Sequence, residues 1–352
     1  LLRLVTAAAA HRGPALRRLD RRREVADDWY LDERMVGYVA YLDRFAGDLA
    51  GVTERLDHLV DLGVTYLHAM PVLQPRPAPN DGGYAVADYR RIDDRLGDMD
   101  DLEALCDRLR DHGISLCLDV VVNHVAREHD WAQAARDGEA RYRDYFHLFA
   151  DRSRPDQYEQ TVREVFPDTA PGNFTWEKTL EQWVWTTFHD YQWDLDYRNP
   201  AVFAELLDVM LFLANRGVEV LRLDAVPFMW KQLGTPCENQ PEVHLIVEGW
   251  RALVSMAAPA VIFKSEAIVP REQLLSYLGA GDRTRRESEL AYHNQLMTQS
   301  WSAVAARDTR LMTQALSQMA SPPQGATWVT YVRNHDDIGW AIGDDDAAAG
   351  GW

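Results

Sequence analysis

Short apolar runs rich in β-branched residues alternate along most of the chain with segments whose apolar positions recur at the helical period. The runs predict strands at 36–42 ("VGYVAYL"), 64–69 ("VTYLHA"), 114–120 ("ISLCLDV"), 218–223 ("VEVLRL"), 260–264 ("AVIFK"), 289–292 and 327–332 ("TWVTYV"). Helices are expected near 48–61, 100–111, 199–215, 241–257, 271–278 and 295–319. Strand, helix and strand repeated in this way imply parallel pairing through right-handed crossovers. Seven strands in this rhythm fit either a (β/α)8 barrel or a doubly wound sheet.

One connection breaks the rhythm. Between about Val125 and Asn199 the chain is rich in aromatic, Asp, Arg and Pro residues without a clear period. That is too long for a plain loop in a compact domain, so an inserted subdomain after the third strand is expected. No Gly/Ser linker or repeat separates independent domains, and the closing "GDDDAAAGGW" reads as loose chain.

Composition narrows the partners. The chain has 352 residues, 47% of them hydrophobic, with a mean hydropathy of -0.36, which suits a soluble globular protein with a sizeable core. A formal charge of -18 argues against a nucleic acid or an anionic membrane as partner and suits a neutral substrate. No run approaches the roughly 20 apolar residues that span a bilayer. Cys106, Cys117 and Cys237 cannot all pair and lack zinc-site spacing, which points to a reducing compartment. The opening "LLRLVTAAAAHRG" carries Arg3 inside its apolar patch and reads as a soluble helix rather than a secretory signal. A cytoplasmic location is therefore expected, with secretion left open.

The chemistry lies at the strand ends. In "VEVLRLDAVPF" a buried strand carries Arg222 and Asp224, which an apolar interior would not tolerate unpaired. Residues two apart face one side, so the two project together, and the arginine is expected to keep the aspartate ionised. Other strand exits repeat the pattern: "LCLDVVVNH" brings Asp119, Asn123 and His124, "VIFKSEA" brings Glu266, and "VTYVRNHDD" brings His335 and Asp336. One such carboxylate is usually a helix cap or an ion-pair partner. Four in order, two with histidine and one with arginine, point to a site. Glycosidic bond cleavage with retention needs two carboxyls roughly 5 to 5.5 Å apart, a spacing that Asp224 and Glu266 on successive strands could meet. Asp336 would be a third acid.

Read together, "DVVVNH", "VLRLDAV", "FKSEA" and "RNHDD" resemble the four ordered motifs of the α-amylase superfamily. The flanking strings "VAYLDRFAGDLAGV", "DGGYAVADYR", "NHVAREHDWA", "WTTFHDYQWDLDYRNP", "FMWKQLGTPCENQP" and "HDDIGW" resemble the amylosucrases, its sucrose-using glucosyl transferases, over roughly residues 30 to 345. The resemblance implies a (β/α)8 barrel with Asp224 as nucleophile, Glu266 as general acid and base, and Asp336 as transition-state stabiliser. Arg222, His124 and His335 would hold glucosyl hydroxyls and the nucleophile. Asp81 and Tyr84 would floor the pocket, with Tyr84 a sugar platform, while Phe188 would form its wall and Phe228 face the acceptor. Lys264 and Asn123 are read as supporting residues. Asn123 aligns with a calcium ligand of true α-amylases, but the resemblance implies no metal and no cofactor. His129 and Trp131 are left unassigned. Pro227, at the turn after the nucleophile, is expected to stiffen the loop that carries Phe228.

The implied organisation is a helical N-terminal remnant (1–30), barrel (31–124), inserted subdomain (125–198) and barrel again (199–352), with about seven strands present and the chain apparently truncated. An arginine that pairs with Asp81 in the family is not found within this length. The expected reaction is transfer of glucose from sucrose to an α-1,4-glucan or glycogen acceptor with release of fructose. Alternatives are a sucrose hydrolase on the same scaffold or an inactive glucan-binding fragment. A trehalose synthase or α-glucosidase is disfavoured by "GTPCENQP" and "DGGYAVADY".

Overall fold

The computed structural model describes residues 1–279, 287–336, 342–349 and 351. Its centre is a curled, parallel seven-stranded sheet: β1 (Gly37–Ala40), β2 (Tyr66–Ala69), β3 (Ser115–Val121), β4 (Val220–Asp224), β5 (Ile262–Ser265), β6 (Leu290–Tyr292) and β7 (Thr327–Val329). The strands lie in chain order and every neighbouring pair is parallel. All seven strands read from the sequence are present, arranged as an incomplete (β/α)8 barrel. β2 to β6 are buried at every position, as parallel strands covered on both faces must be, whereas β1 and β7 are partly exposed. Those two are the sheet's edges among the described residues, and a cavity of about 410 Å³ opens between them beside Tyr66, His68 and Lys264.

The helices that flank the sheet include α1 (Leu2–His11), α2 (Pro14–Val25), α3 (Met99–Asp111), α4 (Pro200–Asn215), α5 (Pro241–Ala257), α6 (Asn294–Ala306) and α7 (Arg310–Ser317), and a short α8 (Asp344–Ala349) follows them. Their starts follow local chemistry. Asp98 and Asp101 form a capping box at α3, and the Asn199 side chain caps α4 ahead of Pro200. Gly217, with φ at +103°, ends the α4 turn where a Cβ would come within 2.8 Å of the Cys106 Cβ, so only glycine lets α3 and α4 approach there. α1 packs on α4 and α5. The Arg12 fork that holds Asp20 also reaches the Ala214 carbonyl at 2.9 Å, and Arg23 spans Glu219, Ser115 and the Ala260 carbonyl beneath the strands.

Several sequence expectations change in detail. The helix expected at 48–61 breaks at Arg55 into Leu49–Glu54 and Leu56–Asp61, and that at 271–278 splits into Arg271–Leu274 and a 3-10 turn, Leu275–Leu278. The one expected at 295–319 splits into α6 and α7, because Arg307 turns left-handed (φ 53°) and the Asp308 side chain accepts the Arg310 N–H to start a new helix. Part of the tail is ordered rather than loose: Asp344–Ala349 is helical, favoured by three first-turn aspartates and an alanine run, and Arg271 reaches Asp346 at 2.9 Å. Residues 337–340, which end the "HDDIGW" string, lie outside the described residues.

The 125–198 connection carries its own small elements. His124–Ala126 pairs antiparallel with Gln192–Asp194, and a second antiparallel sheet joins Leu148–Phe149, Gln182–Trp185 and Phe174–Glu177. Tyr158, Phe174, Trp185 and Cys237 fill a separate apolar cluster under it. His129 caps the helix Asp130–Arg136 through Nδ1 and packs against Trp131 and Tyr89, so the two unassigned residues have structural roles. All three cysteines are buried and free, and among the described residues no helix is long and apolar enough to cross a membrane.

Candidate active site

The paired arginine and aspartate of β4 sit at the centre of a buried charge network. Arg222, 1% exposed, places one nitrogen 2.6 Å from Asp119 and 2.5 Å from Asp224; its other terminal nitrogen is 3.7 Å from Asp336, and Nε is 3.2 Å from the Tyr292 hydroxyl. Asp119 stands opposite Arg222 in the β3–β4 register and takes a second contact from His68 at 2.9 Å. Lys264 on β5 reaches His68 Nδ1 at 3.3 Å. Burial pushes His68 down to about 4, helped by the Lys264 charge, so His68 is neutral. Burial would raise Asp119, but Arg222 and His68 overturn it and hold that carboxyl below its ordinary value.

Asp224 and Glu266 end neighbouring strands. Leu223 pairs with Ser265 in register, so the next residues on each strand are the two carboxylates, and Glu266 N donates to the Leu223 carbonyl at 3.0 Å. The chain turns after Asp224 through Ala225, a buried non-glycine residue at φ 56°. Left-handed backbone costs roughly 1 kcal/mol or more for such a residue. Here it aims the Ala225 N–H at Glu266 Oε2, 2.8 Å away.

Arg222 favours the ionised form of Asp224, as the sequence suggests, but it does not prevent an upward shift. Its charge is divided among Asp119, Asp224 and Asp336, and burial prevails, pushing Asp224 up to about 6. Burial pushes Glu266 further, to about 8, with Arg222 opposing and Asp224 adding to the rise. Near neutral pH Asp224 is ionised and Glu266 holds a proton. Two carboxyls with separated affinities suit a nucleophile beside an acid. Asp336 is lowered: burial opposes, but His335 Nε2 at 2.9 Å and the Arg222 charge prevail.

Nine of the ten residues predicted for the site line one cavity of about 380 Å³: Asp81, Tyr84, His124, Phe188, Asp224, Phe228, Glu266, His335 and Asp336. The tenth, Arg222, lies beneath it. Tyr84 is 8% exposed and stacks on the His335 ring, centroids 5.5 Å apart and 11° from parallel, with its hydroxyl 3.0 Å from His335 Nε2. Phe188 packs against His124 at 5.1 Å and Phe228 at 5.3 Å, forming one wall. Asp81 faces the Gln192 amide at 3.0 Å and His189 at 3.7 Å.

Sequence reasoning missed a second buried group behind that wall. The Lys231 ammonium lies 2.6 Å from Asp194, 2.7 Å from the Phe228 carbonyl, 3.1 Å from the Thr187 hydroxyl and 3.4 Å from Asn123 Oδ1. Asp194 also accepts from the Thr187 N–H and hydroxyl and from the Asn123 amide. The calcium-type position of Asn123 thus faces an ammonium, and a divalent cation does not fit beside it. Among the described residues no group of three or more His, Cys, Asp or Glu could hold a metal ion. The only sequence signal for this pair was that Asp194 and Lys231 stand in two strings already tied to one family, "WTTFHDYQWDLDYRNP" and "FMWKQLGTPCENQP".

A pair of carboxyls at adjacent strand exits of a parallel barrel sheet is an arrangement that enzymes acting on glycosidic bonds use. Residues 22–345 match the α-amylase catalytic domain, and the chain belongs to that family. The trehalose synthase/amylase TreS of Mycolicibacterium smegmatis is 34% identical over 293 residues, 83% of this chain and 48% of that protein. The glucosylglycerate phosphorylase of Escherichia coli is 28% identical over 314 residues, 88% of this chain and 53% of its own. The chain spans about half the length of these curated relatives. The crystal structure of the trehalulose synthase MutB superposes with a TM-score of 0.65 at 24% identity, over 75% of this chain and 50% of that one, a likeness of fold.

Proposed function

We propose that this chain carries the donor-sugar site of a retaining α-glucosyl-transfer enzyme, with sucrose as donor and an α-1,4-glucan as acceptor. Asp224 attacks the anomeric carbon from the face opposite the glycosidic oxygen, while Glu266 gives its proton to that oxygen and fructose leaves. The result is a β-glucosyl ester on Asp224. Glu266, now ionised, takes the proton of an acceptor hydroxyl, which displaces Asp224 and restores the α configuration. Asp336 and Arg222 stabilise charge that develops on the ring and on Asp224. The observation that carries the reading is the convergence of Asp224, Glu266 and Asp336 on one cavity, the first two at adjacent strand ends and both raised by burial. Residues 31–124 and 199–352 form the barrel in this reading, 125–198 its inserted wall and 1–30 part of a helical N-terminal domain. The free cysteines suit a cytoplasmic location.

Sucrose and the amylosucrase assignment rest on the flanking motifs. A second reading has its own support: relatives named trehalose synthase are 34% identical to this chain over the 293 and 299 residues aligned, although the "GTPCENQP" and "DGGYAVADY" strings counted against that activity. In it the intermediate would be captured by the glucose just released. The test is incubation with sucrose, with sucrose plus glycogen, and with maltose, with Asp224→Asn as control. Fructose release with glycogen growth supports transfer, and equal glucose and fructose indicate hydrolysis. Conversion of maltose to trehalose selects the second reading. Glycogen binding by folded protein with no turnover would leave an inactive glucan-binding chain.

A further inference from the structure

Gln192 lies at the floor of the donor pocket, fully buried, and the family motifs assign it no role. It belongs to the short strand that pairs with His124–Ala126, so the inserted segment delivers its side chain directly under His124. Both ends of its amide are committed. The carbonyl oxygen accepts the His189 backbone N–H at 3.0 Å, and a backbone N–H can only donate, which decides which end is oxygen. The amide nitrogen therefore faces the other way, 3.0 Å from Asp81 Oδ2 and 2.9 Å from His124 Nε2. Its two hydrogens match those two neighbours.

A nitrogen that receives an amide hydrogen must present its lone pair. His124 Nε2 is then unprotonated, and the ring proton sits on Nδ1. The other ring nitrogen, Nδ1, lies 3.4 Å from the Asn123 amide nitrogen, a much longer contact than the 2.9 Å at Nε2, and a hydrogen bond to the Tyr84 backbone favours the protonated ring, as donation from Nδ1 to a carbonyl would. We propose that Gln192 is a positioning residue of the donor pocket, fixing His124 as the Nδ1–H tautomer and joining it to Asp81 through one amide. The pocket floor then offers two acceptors, the Asp81 carboxylate and His124 Nε2, to a sugar hydroxyl that enters as a donor in exchange for an amide hydrogen. Burial leaves His124 neutral and raises Asp81, and the Gln192 hydrogen bond opposes the latter.

The substrate side of this inference rests on the glucosyl-transfer reading, but the tautomer does not. Long-range proton–nitrogen correlation spectra of 15N-labelled protein report which ring nitrogen carries hydrogen, and the His124 signals are identified by their loss in His124→Asn. The wild type is expected to show Nδ1–H. Gln192→Leu removes the donor, and Gln192→Glu, close to isosteric, puts an acceptor in its place; both are expected to move the proton toward Nε2. An Nε2–H wild type, or a tautomer unchanged in both variants, overturns the proposal. In parallel, kcat/KM for α-glucosyl fluoride, a donor with no sugar leaving group, should fall about tenfold in Gln192→Leu, the effect of one lost buried hydrogen bond, mainly through KM. A wild type that ignores the fluoride while showing the expected tautomer shift sinks the functional reading and leaves the role of Gln192 standing.

Discussion

If the separated affinities of Asp224 and Glu266 drive catalysis, the dependence of kcat/KM on pH must be a bell set by those two groups. The acid limb reports Asp224, which must be ionised to attack and sits near 6 because burial outweighs its share of Arg222. The alkaline limb reports Glu266, which must be protonated and sits near 8. At pH 7 about nine-tenths of each group is in its working form. One unit beyond either value, near pH 5 or pH 9, only about a tenth is, so the rate should drop about tenfold from its plateau. The assay is initial-rate fructose release from sucrose between pH 4.5 and 9.5 at constant ionic strength, repeated with Glu266→Gln. That variant should lose about 10²- to 10⁴-fold on sucrose, the usual worth of a positioned acid, and much less on α-glucosyl fluoride, whose leaving group needs no proton. Its alkaline limb should vanish. A limb near 8 that survives in Glu266→Gln, or a profile flat from pH 5 to 9, would refute the assignment of acid and nucleophile.

Three further outcomes follow from the geometry. Glu266 has a folded-state value near 8 against an ordinary 4.5, so its protonated form is favoured by folding: the contribution is complete below pH 4.5 and is lost as pH rises through 8. Glu266→Gln should therefore melt higher than wild type at pH 9 and gain little at pH 5, the difference being on the order of 4 kcal/mol at about 1.36 kcal/mol per unit; equal gains at both would contradict it. Lys231→Met strips Asp194 of its ammonium but leaves the Thr187 and Asn123 donors, so the loss should fall at the low end of the range for broken buried pairs, about 3 kcal/mol, lowering Tm by about 4 °C in a chain of this size. An unchanged melting curve would show that the ammonium contributes nothing net. Pro227→Ala keeps the Pro227 carbonyl that accepts the Asn239 N–H at 2.8 Å, so the loop should stay in place but loosen. Product analysis should then show a changed ratio of transfer to hydrolysis with sucrose affinity little altered, and a constant ratio would remove Pro227 from the acceptor wall.

The barrel strands were legible because burial on both faces leaves continuous β-branched runs, and their catalytic-type acids were legible because each follows such a run. Helix breaks at Arg55 and Arg307 were not, since neither carries a glycine or proline signal; the left-handed turn at Arg307 depends on a local Asp308 contact. The upward shift of Asp224 was not legible, because the sequence shows one adjacent arginine and not the three carboxylates that share it. Gln192, Lys231 and His68 were invisible as site residues, because each acts on a partner far along the chain: Gln192 on Asp81, Lys231 on Asn123, His68 on Asp119.

The left-handed turn at Ala225 has a consequence for stereochemistry. Because the peptide that follows Asp224 also grips Glu266, the two carboxyls form a single caliper closed by backbone, with its jaws set by the spacing of adjacent strands. Inversion would require the jaws to open to roughly 6.5 to 9.5 Å to admit a water between them. In the proposed reaction, the turn after β4 and the lengths of the side chains at 224 and 266 together set that gap.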